Sequence, residues 1–234
     1  MSSYSLVTIT FNPAVDKSTA VASLIPEKKL VCSNPILEPG GGGINVARAV
    51  KKLGGEALAV FPAGGYNGRL LERLLEREGV ASLAIPIKND SRENLVVLDK
   101  GANLQYRFGM PGPEMTLAEW TACLQAIEDV SNPRYIVASG SLGNGVPSDI
   151  FAQLAVIAKK KNAKLVVDTS GEPLKAAVGE GVYMIKPNLG ELACLAGREE
   201  LDFESVTGVA RQIIDNGGCE MVVVSMGAGG AMLV

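Results

Sequence analysis

The sequence predicts an α/β protein: a mostly parallel sheet flanked by helices, with a small β-sheet lid. Three observations lead there. From about residue 57 onward, apolar runs of strand length alternate with longer stretches whose apolar residues recur at helical spacing. Two stretches, about 17–37 and 92–110, interrupt this rhythm with short extended pieces and turn residues, as a β excursion from the main sheet would. At 234 residues, with 47% hydrophobic and 20% charged content, the chain can bury the core that such a sheet needs. One domain over 1–234, with the lid strands inserted in it, follows.

Taken in order, Leu6 to Phe11 is a β-branched strand ending at Asn12-Pro13 and delivering Asp16 just past its end. Thr19 to Leu24 and Leu30 to Ser33 are extended pieces, broken by Pro26 and Pro35. Glu38-Pro39 then leads into Gly40-Gly41-Gly42-Gly43-Ile44-Asn45 and a helix over Val46 to Leu53. Ala57 to Phe61 is a strand. Asn67 to Glu78 follows as a helix, with Leu70, Leu71, Leu74 and Leu75 on one stripe. After the strand Leu83 to Ile87, Asn94 to Leu98 and Leu104 to Phe108 form a hairpin around Lys100-Gly101. A lone hairpin is marginal, so the extended pieces need each other or a partner chain. Leu117 to Val130 reads as a helix capped by Thr116, and Tyr135 to Ala138 as a strand. The segments 148–161, 165–167, 174–178, 182–185, 191–196, 206–216 and 221–225 continue the alternation.

Composition removes whole classes of function. Lys plus Arg total 22 and Asp plus Glu 25, a net charge of -3 with no long block of one sign, which argues against a nucleic-acid footprint. There is no histidine, so imidazole bases, His metal sites and Ser-His or Cys-His pairs are excluded. Cys32, Cys123, Cys194 and Cys219 have neither zinc nor redox spacing and read as buried free thiols of a reducing compartment. Neither a leader-like N-terminus nor a membrane-length apolar run is present, so the expectation is a cytoplasmic protein with no membrane partner.

The candidate site residues lie at the predicted strand ends. Four glycines before a helix leave room for an oxygen-rich or anionic guest at the positive end of the helix dipole, or make a permissive turn. The dinucleotide spacing fails at Asn45 and Val46, and no Gly-Lys pair exists for a P-loop. Asp16 reads as an acceptor for sugar hydroxyls or as a turn aspartate. Ser141 follows a strand in Ser139-Gly140-Ser141-Leu142. Lys186-Pro187-Asn188-Leu189-Gly190-Glu191 opens a helix, where Asn188 and Glu191 either hold a hydrated Mg²⁺ or cap the helix. Ser225 to Gly230 is a phosphate-facing turn or a plain hairpin, and Arg92 and Arg107 are phosphate clamps or solvated charges.

The order of these motifs resembles the ribokinase-like (PfkB-type) carbohydrate kinases. Asn-Pro-Ala-Val-Asp, Glu-Pro-Gly-Gly-Gly-Gly-Ile-Asn-Val-Ala-Arg-Ala, Phe-Pro-Ala-Gly-Gly, Gln-Tyr-Arg-Phe-Gly-Met-Pro-Gly, Ser-Gly-Ser-Leu, Val-Asp-Thr-Ser-Gly-Glu, Lys-Pro-Asn-x-x-Glu-Leu and Val-Val-Ser-Met-Gly carry it. Within that family the chain is most similar to the minor-type ATP-dependent 6-phosphofructokinases. The resemblance implies ATP and Mg²⁺ as cofactors and a glycolytic sugar phosphate, fructose 6-phosphate first, as substrate. Fructose 1-phosphate, tagatose 6-phosphate and a non-catalytic sugar-phosphate-binding module are the alternatives. It also implies that Asp16, Gly41, Gly42 and Asn45 hold sugar hydroxyls, that Arg92 and Arg107 clamp the existing phosphate, and that Ser141 lines the sugar pocket. Lys29 would reach a ligand across a homodimer formed through the lid. Lys186, Asn188, Ser225, Gly227 and Gly230 would serve the nucleotide, and Glu191 the metal.

Three departures from the family pattern stand out. Val31 replaces an arginine, and Gly143-Asn144 replaces Pro-Pro. Gly227-Ala228-Gly229 is followed by Gly230, where the family's Gly-Ala-Gly-Asp motif supplies an anion hole and the catalytic base. That motif is expected downstream of Val234, so the sequence reads as C-terminally truncated and its own turnover as strongly impaired.

Overall fold

In the computed structural model, which describes residues 4–234, the predicted rhythm resolves into two sheets and seven α-helices among the described residues. The elements run β1 (Leu6–Ile9), β2 (Ala14–Val21), β3 (Ile36–Gly40), α1 (Gly42–Lys52), β4 (Leu58–Ala63), α2 (Gly65–Arg77), β5 (Ala81–Pro86), β6 (Arg92–Asp99) and β7 (Leu104–Phe108). They continue with α3 (Leu117–Asp129), β8 (Tyr135–Ser139), α4 (Ile150–Lys160), β9 (Lys164–Asp168), α5 (Gly171–Glu180), β10 (Val182–Ile185), α6 (Leu189–Leu195), α7 (Phe203–Asp215), β11 (Cys219–Ser225) and β12 (Ala231–Leu233). The main sheet has the order β12-β11-β10-β9-β8-β1-β4-β5 and is parallel except for β12. After β1 the chain adds β4 and β5 on one side and then β8 to β11 on the other. The strand order therefore reverses beside β1, and the C-terminal strand ends at such a point are where open α/β sheets bind ligands.

Side-chain alternation explains the layers. One residue row across the sheet, Val60, Ile9, Ala138, Val167, Ile185 and Val222, is 0% exposed throughout. The neighbouring row points to the other face. Ala59 and Thr8 are fully buried beneath α1, Val137 is nearly so, and Val166, Met184 and Met221 are half-buried. An apolar groove of about 390 Å³ opens on this second face between Leu6, Val46, Val137, Val166 and Met184, with Asp168 and Lys186 at its rim.

The lid is a four-stranded sheet of order β3-β2-β6-β7 in which β2 and β6 pair in parallel. This joins the two extended stretches, as the instability of isolated hairpins requires. The pieces differ from expectation in extent. Residues 22–35 form an exposed loop, so Leu30 to Ser33 is not a strand; the second strand is instead Ile36–Gly40. Pro39 is tolerated there because β3 is an edge strand, where a missing N–H costs no ladder bond. At the lid tip, Asp99 accepts backbone N–H bonds from Leu24 (3.0 Å), Gly101 (2.9 Å) and Ala102 (3.1 Å), which hold its carboxyl below the usual range. The lid base rests on α2, where Val15 and Leu37 join the cluster of Phe61, Leu71 and Leu75.

Local signals account for several ends. Thr116 and Glu119 form a reciprocal capping box at the start of α3, as expected of Thr116. Only Cys123 and Cys219 are buried; Cys32 and Cys194 are exposed, so the expectation of four buried thiols holds for two. Burial pushes the Cys123 thiol up to about 12, which leaves it inert at neutral pH. Among the described residues no helix is long and apolar enough to cross a membrane.

Candidate functional site

The glycine run sits at the switch point, for a reason the sequence did not disclose. Gly40 ends β3, Gly41 precedes the helix with φ 123°, and α1 begins at Gly42 rather than Val46. A Cβ on Gly42 would lie 2.3 Å from Ser139 Oγ and 2.7 Å from the Gly140 nitrogen, and one on Gly43 would lie 2.6 Å from the Ile9 carbonyl oxygen. The glycines thus let the helix start pack directly on the ends of β1 and β8. Thr10 Oγ1 accepts the Ile44 N–H at 3.0 Å and caps the helix from just past the end of β1. Asn45 Oδ1 accepts from the Arg48 guanidinium at 3.2 Å. The guanidinium of Arg48 also bonds Glu78 (2.7 and 2.8 Å), Glu38 (3.0 Å) and the Pro39 carbonyl (3.1 Å), which raises its pKa and ties α1 to β3 and the end of α2.

Asp16 lies inside lid strand β2, not just past the end of β1. It faces Glu38 on one side and Asn94 on the other. Asn94 Nδ2 donates to Asp16 Oδ1 at 2.9 Å. Two residues earlier on the same strand face is Arg92, whose terminal nitrogens donate to the carbonyls of Met110 and Asn12, both at 3.0 Å. Its Nε is buried without a partner, and among the described residues no carboxylate lies within ion-pair distance of it. Burial lowers the pKa of Arg92, and the charge of Asp16 opposes that shift. Arg107 pairs in register with Val96, which places it on the face shared by Arg92 and Asn94; it is exposed and donates to Gln105 at 3.1 Å. Ser141 reaches the same corner through Asn12, whose Nδ2 donates to Ser141 Oγ at 3.1 Å. Lys29 lies in the exposed loop 22–35, outside this group, and Val31 beside it is 87% exposed.

A second group gathers at the ends of β9, β10 and β11. Lys186 pairs with Asp168 at 3.0 Å, and Asp168 also accepts from Ser139 Oγ at 3.1 Å. Asn188 bridges to Ser225, whose N–H donates to the Pro187 carbonyl at 2.9 Å. Asn188 and Glu191 form a capping box on α6, each side chain taking the other's backbone N–H at 2.9 Å. That uses Glu191 Oε2. Gly227–Gly229 is a short 3-10 turn closing the hairpin from β11 to β12, with φ of 58° at Gly227 and 90° at Gly230.

Asn94, Asp168, Ser139 and Arg48 were not singled out as site residues. Asn94 was accessible from the sequence, since it opens the predicted strand Asn94 to Leu98 two residues after Arg92, the spacing of one strand face. Asp168 likewise ends a strand.

Residues 2–234 match the model of the pfkB family carbohydrate kinases. The chain is 42% identical over 229 residues to the ATP-dependent 6-phosphofructokinase isozyme 2 of Mycobacterium tuberculosis (strain CDC 1551 / Oshkosh), covering 97% of this chain and 67% of that protein. It is 40% identical over 228 residues to the protein of the same name from Escherichia coli (strain K12), covering 97% of this chain and 74% of that one. The crystal structure of the phosphofructokinase-2 from Escherichia coli in complex with fructose-6-phosphate superposes with a TM-score of 0.94 at 40% identity, over 99% of this chain and 77% of the other. The chain belongs to the pfkB family of carbohydrate kinases.

Proposed function

We propose that the chain binds fructose 6-phosphate and serves its phosphorylation by ATP to fructose 1,6-bisphosphate, a glycolytic step in the cytoplasm. The observation that carries this reading is Arg92. A half-buried guanidinium whose buried Nε has no partner and which has no carboxylate partner among the described residues calls for an anion, and it stands on one lid face with Asp16, a hydroxyl acceptor. Arg107 on the same face supplies a second cation for the same phosphate. Asp16 Oδ2 is free to accept sugar hydroxyls, while Ser141, the Nδ2 of Asn45, and Gly41 and Gly42 border the pocket at the switch point.

On the nucleotide side, Lys186 faces the phosphates of ATP, and Asn188, Ser225, Gly227 and Gly230 line the approach. Glu191 fits a hydrated Mg²⁺: its Oε1 stays outside the capping box, and this ion needs only one or two carboxylate oxygens beside water and phosphate. Mg²⁺ would neutralise phosphate charge. The chain's own residues bind and orient: Arg92 and Arg107 fix one end of the sugar phosphate and Asp16 its hydroxyls, so that the primary hydroxyl is held toward the strand ends where Lys186 stands. The lid carries exposed Ile36, Leu98, Leu104, Tyr106 and Phe108, a surface for a homodimer through which Lys29 would reach the partner's ligand.

Calorimetric titration of the 234-residue chain tests the substrate. The expected order is fructose 6-phosphate tighter than fructose 1-phosphate and far tighter than fructose, with Arg92→Ala erasing the gap between fructose 6-phosphate and fructose. Equal binding of fructose and fructose 6-phosphate, or a preference for fructose 1-phosphate, contradicts the proposal.

A further inference from the structure

Asp16 on β2 and Arg92 on β6 are diagonal neighbours of opposite charge, a spacing that a long side chain can span, yet they form no ion pair. Asn94 stands between them. Its Oδ1 accepts the Met110 N–H at 3.2 Å and an Arg92 N–H at 3.4 Å, while its Nδ2 donates to Asp16 Oδ1 at 2.9 Å. A backbone N–H is always a donor, so Met110 fixes which end of the carboxamide faces Arg92 and which faces Asp16. The carboxylate packs against Gly40, where a Cβ would sit 2.2 Å from Oδ2, so the missing side chain is what lets Asp16 lie there.

Resting on the sugar-phosphate reading above, we propose that Asn94 is a positioning residue that insulates Asp16 from Arg92. By satisfying one oxygen of the acid and one nitrogen of the base with a neutral amide, it keeps the carboxylate open to hydroxyls and the guanidinium open to phosphate. The charged groups on this lid face are Asp16, Glu38, Arg92 and Arg107. Lys17 and Glu93 pair with each other at 2.8 Å on the opposite face. No other neutral side chain bridges the acid and the base among the described residues.

Two substitutions test the role. In Asn94→Asp, two carboxylates at hydrogen-bond distance share one proton. The singly protonated pair reproduces the amide pattern, and loss of that proton drives the acids apart and pairs the new carboxylate with Arg92. Affinity for fructose 6-phosphate, divided by that of the wild type at each pH to cancel the ligand's own ionisation, should fall about tenfold or more by pH 8 and recover toward pH 5. A ratio independent of pH overturns the proposal. In Asn94→Ala, a crystal structure should show Arg92 closed on Asp16, and affinity should fall about tenfold with a pH-independent ratio. Separate Asp16 and Arg92 side chains, or wild-type affinity, in that variant overturn it whether or not Asn94→Asp folds. The structural readout needs no ligand. Absence of wild-type binding would instead sink the sugar-phosphate reading, and this role with it.

Discussion

The two faces of the main sheet, compared residue by residue, show how differently the two halves of the candidate site are supported. On one face, Ile9, Ala138, Val167, Ile185 and Val222 are sealed across the sheet. On the other, burial is complete at Ala59 and Thr8 beneath α1 and fades through Val166, Met184 and Met221. The proposed sugar-phosphate residues stand over the covered end, braced by the glycine contacts, by Thr10 and by Arg48. Lys186 and Asp168 stand at the rim of the open groove. What differs is the depth of packing behind each group.

This contrast predicts a ranking of substitution effects. Ile185→Ala removes a sealed side chain and should cost about 3 kcal/mol in urea denaturation. Its neighbour Met184→Ala, on the open face, should cost less than about 1 kcal/mol; a similar loss at both positions would mean that the groove is covered in solution. Between these extremes, Arg48→Ala breaks the tie from α1 to β3 and α2. Since Glu38 and Glu78 are partly solvated, the expected loss is about 1–2 kcal/mol, and no loss would show that the glycine contacts alone seat α1.

The smallest effect concerns the lid tip. The Asp99 carboxyl is held below its ordinary range by three backbone N–H groups, so it titrates lower in the folded chain than in the unfolded one. Its contribution is full above the unfolded value of about 4 and is lost as pH falls through the lower folded value. Amide signals of Leu24, Gly101 and Ala102 should therefore shift together in an NMR titration below about pH 4, before the core signals move. Simultaneous loss of lid and core would remove the distinction between them.

Much of the fold was legible because its signals are local. The leucine stripe of α2, the Thr116 cap and the hairpin at Lys100-Gly101 each depend on residues within a few positions of one another. Asp16 was misplaced because its partner Asn94 is 78 residues away, and no local pattern places a strand in a lid rather than in the main sheet. The glycines were recognised, but their contacts with Ser139 and Ile9 exist only after the helix has docked. Asn188 and Glu191 illustrate a different limit. The spacing that suits an oxygen-ligand pair also makes a capping box, and the structure forms the cap.

The proposed sugar-phosphate residues rest on packing of their own, apart from the proposed nucleotide residues, and should bind without them. Calorimetric titration of fructose 6-phosphate, without ATP, into Arg92→Ala and Lys186→Ala variants tests it most directly. Loss of binding in Arg92→Ala with wild-type affinity in Lys186→Ala is the predicted result. Undiminished binding in Arg92→Ala, or a comparable loss in Lys186→Ala, would contradict it.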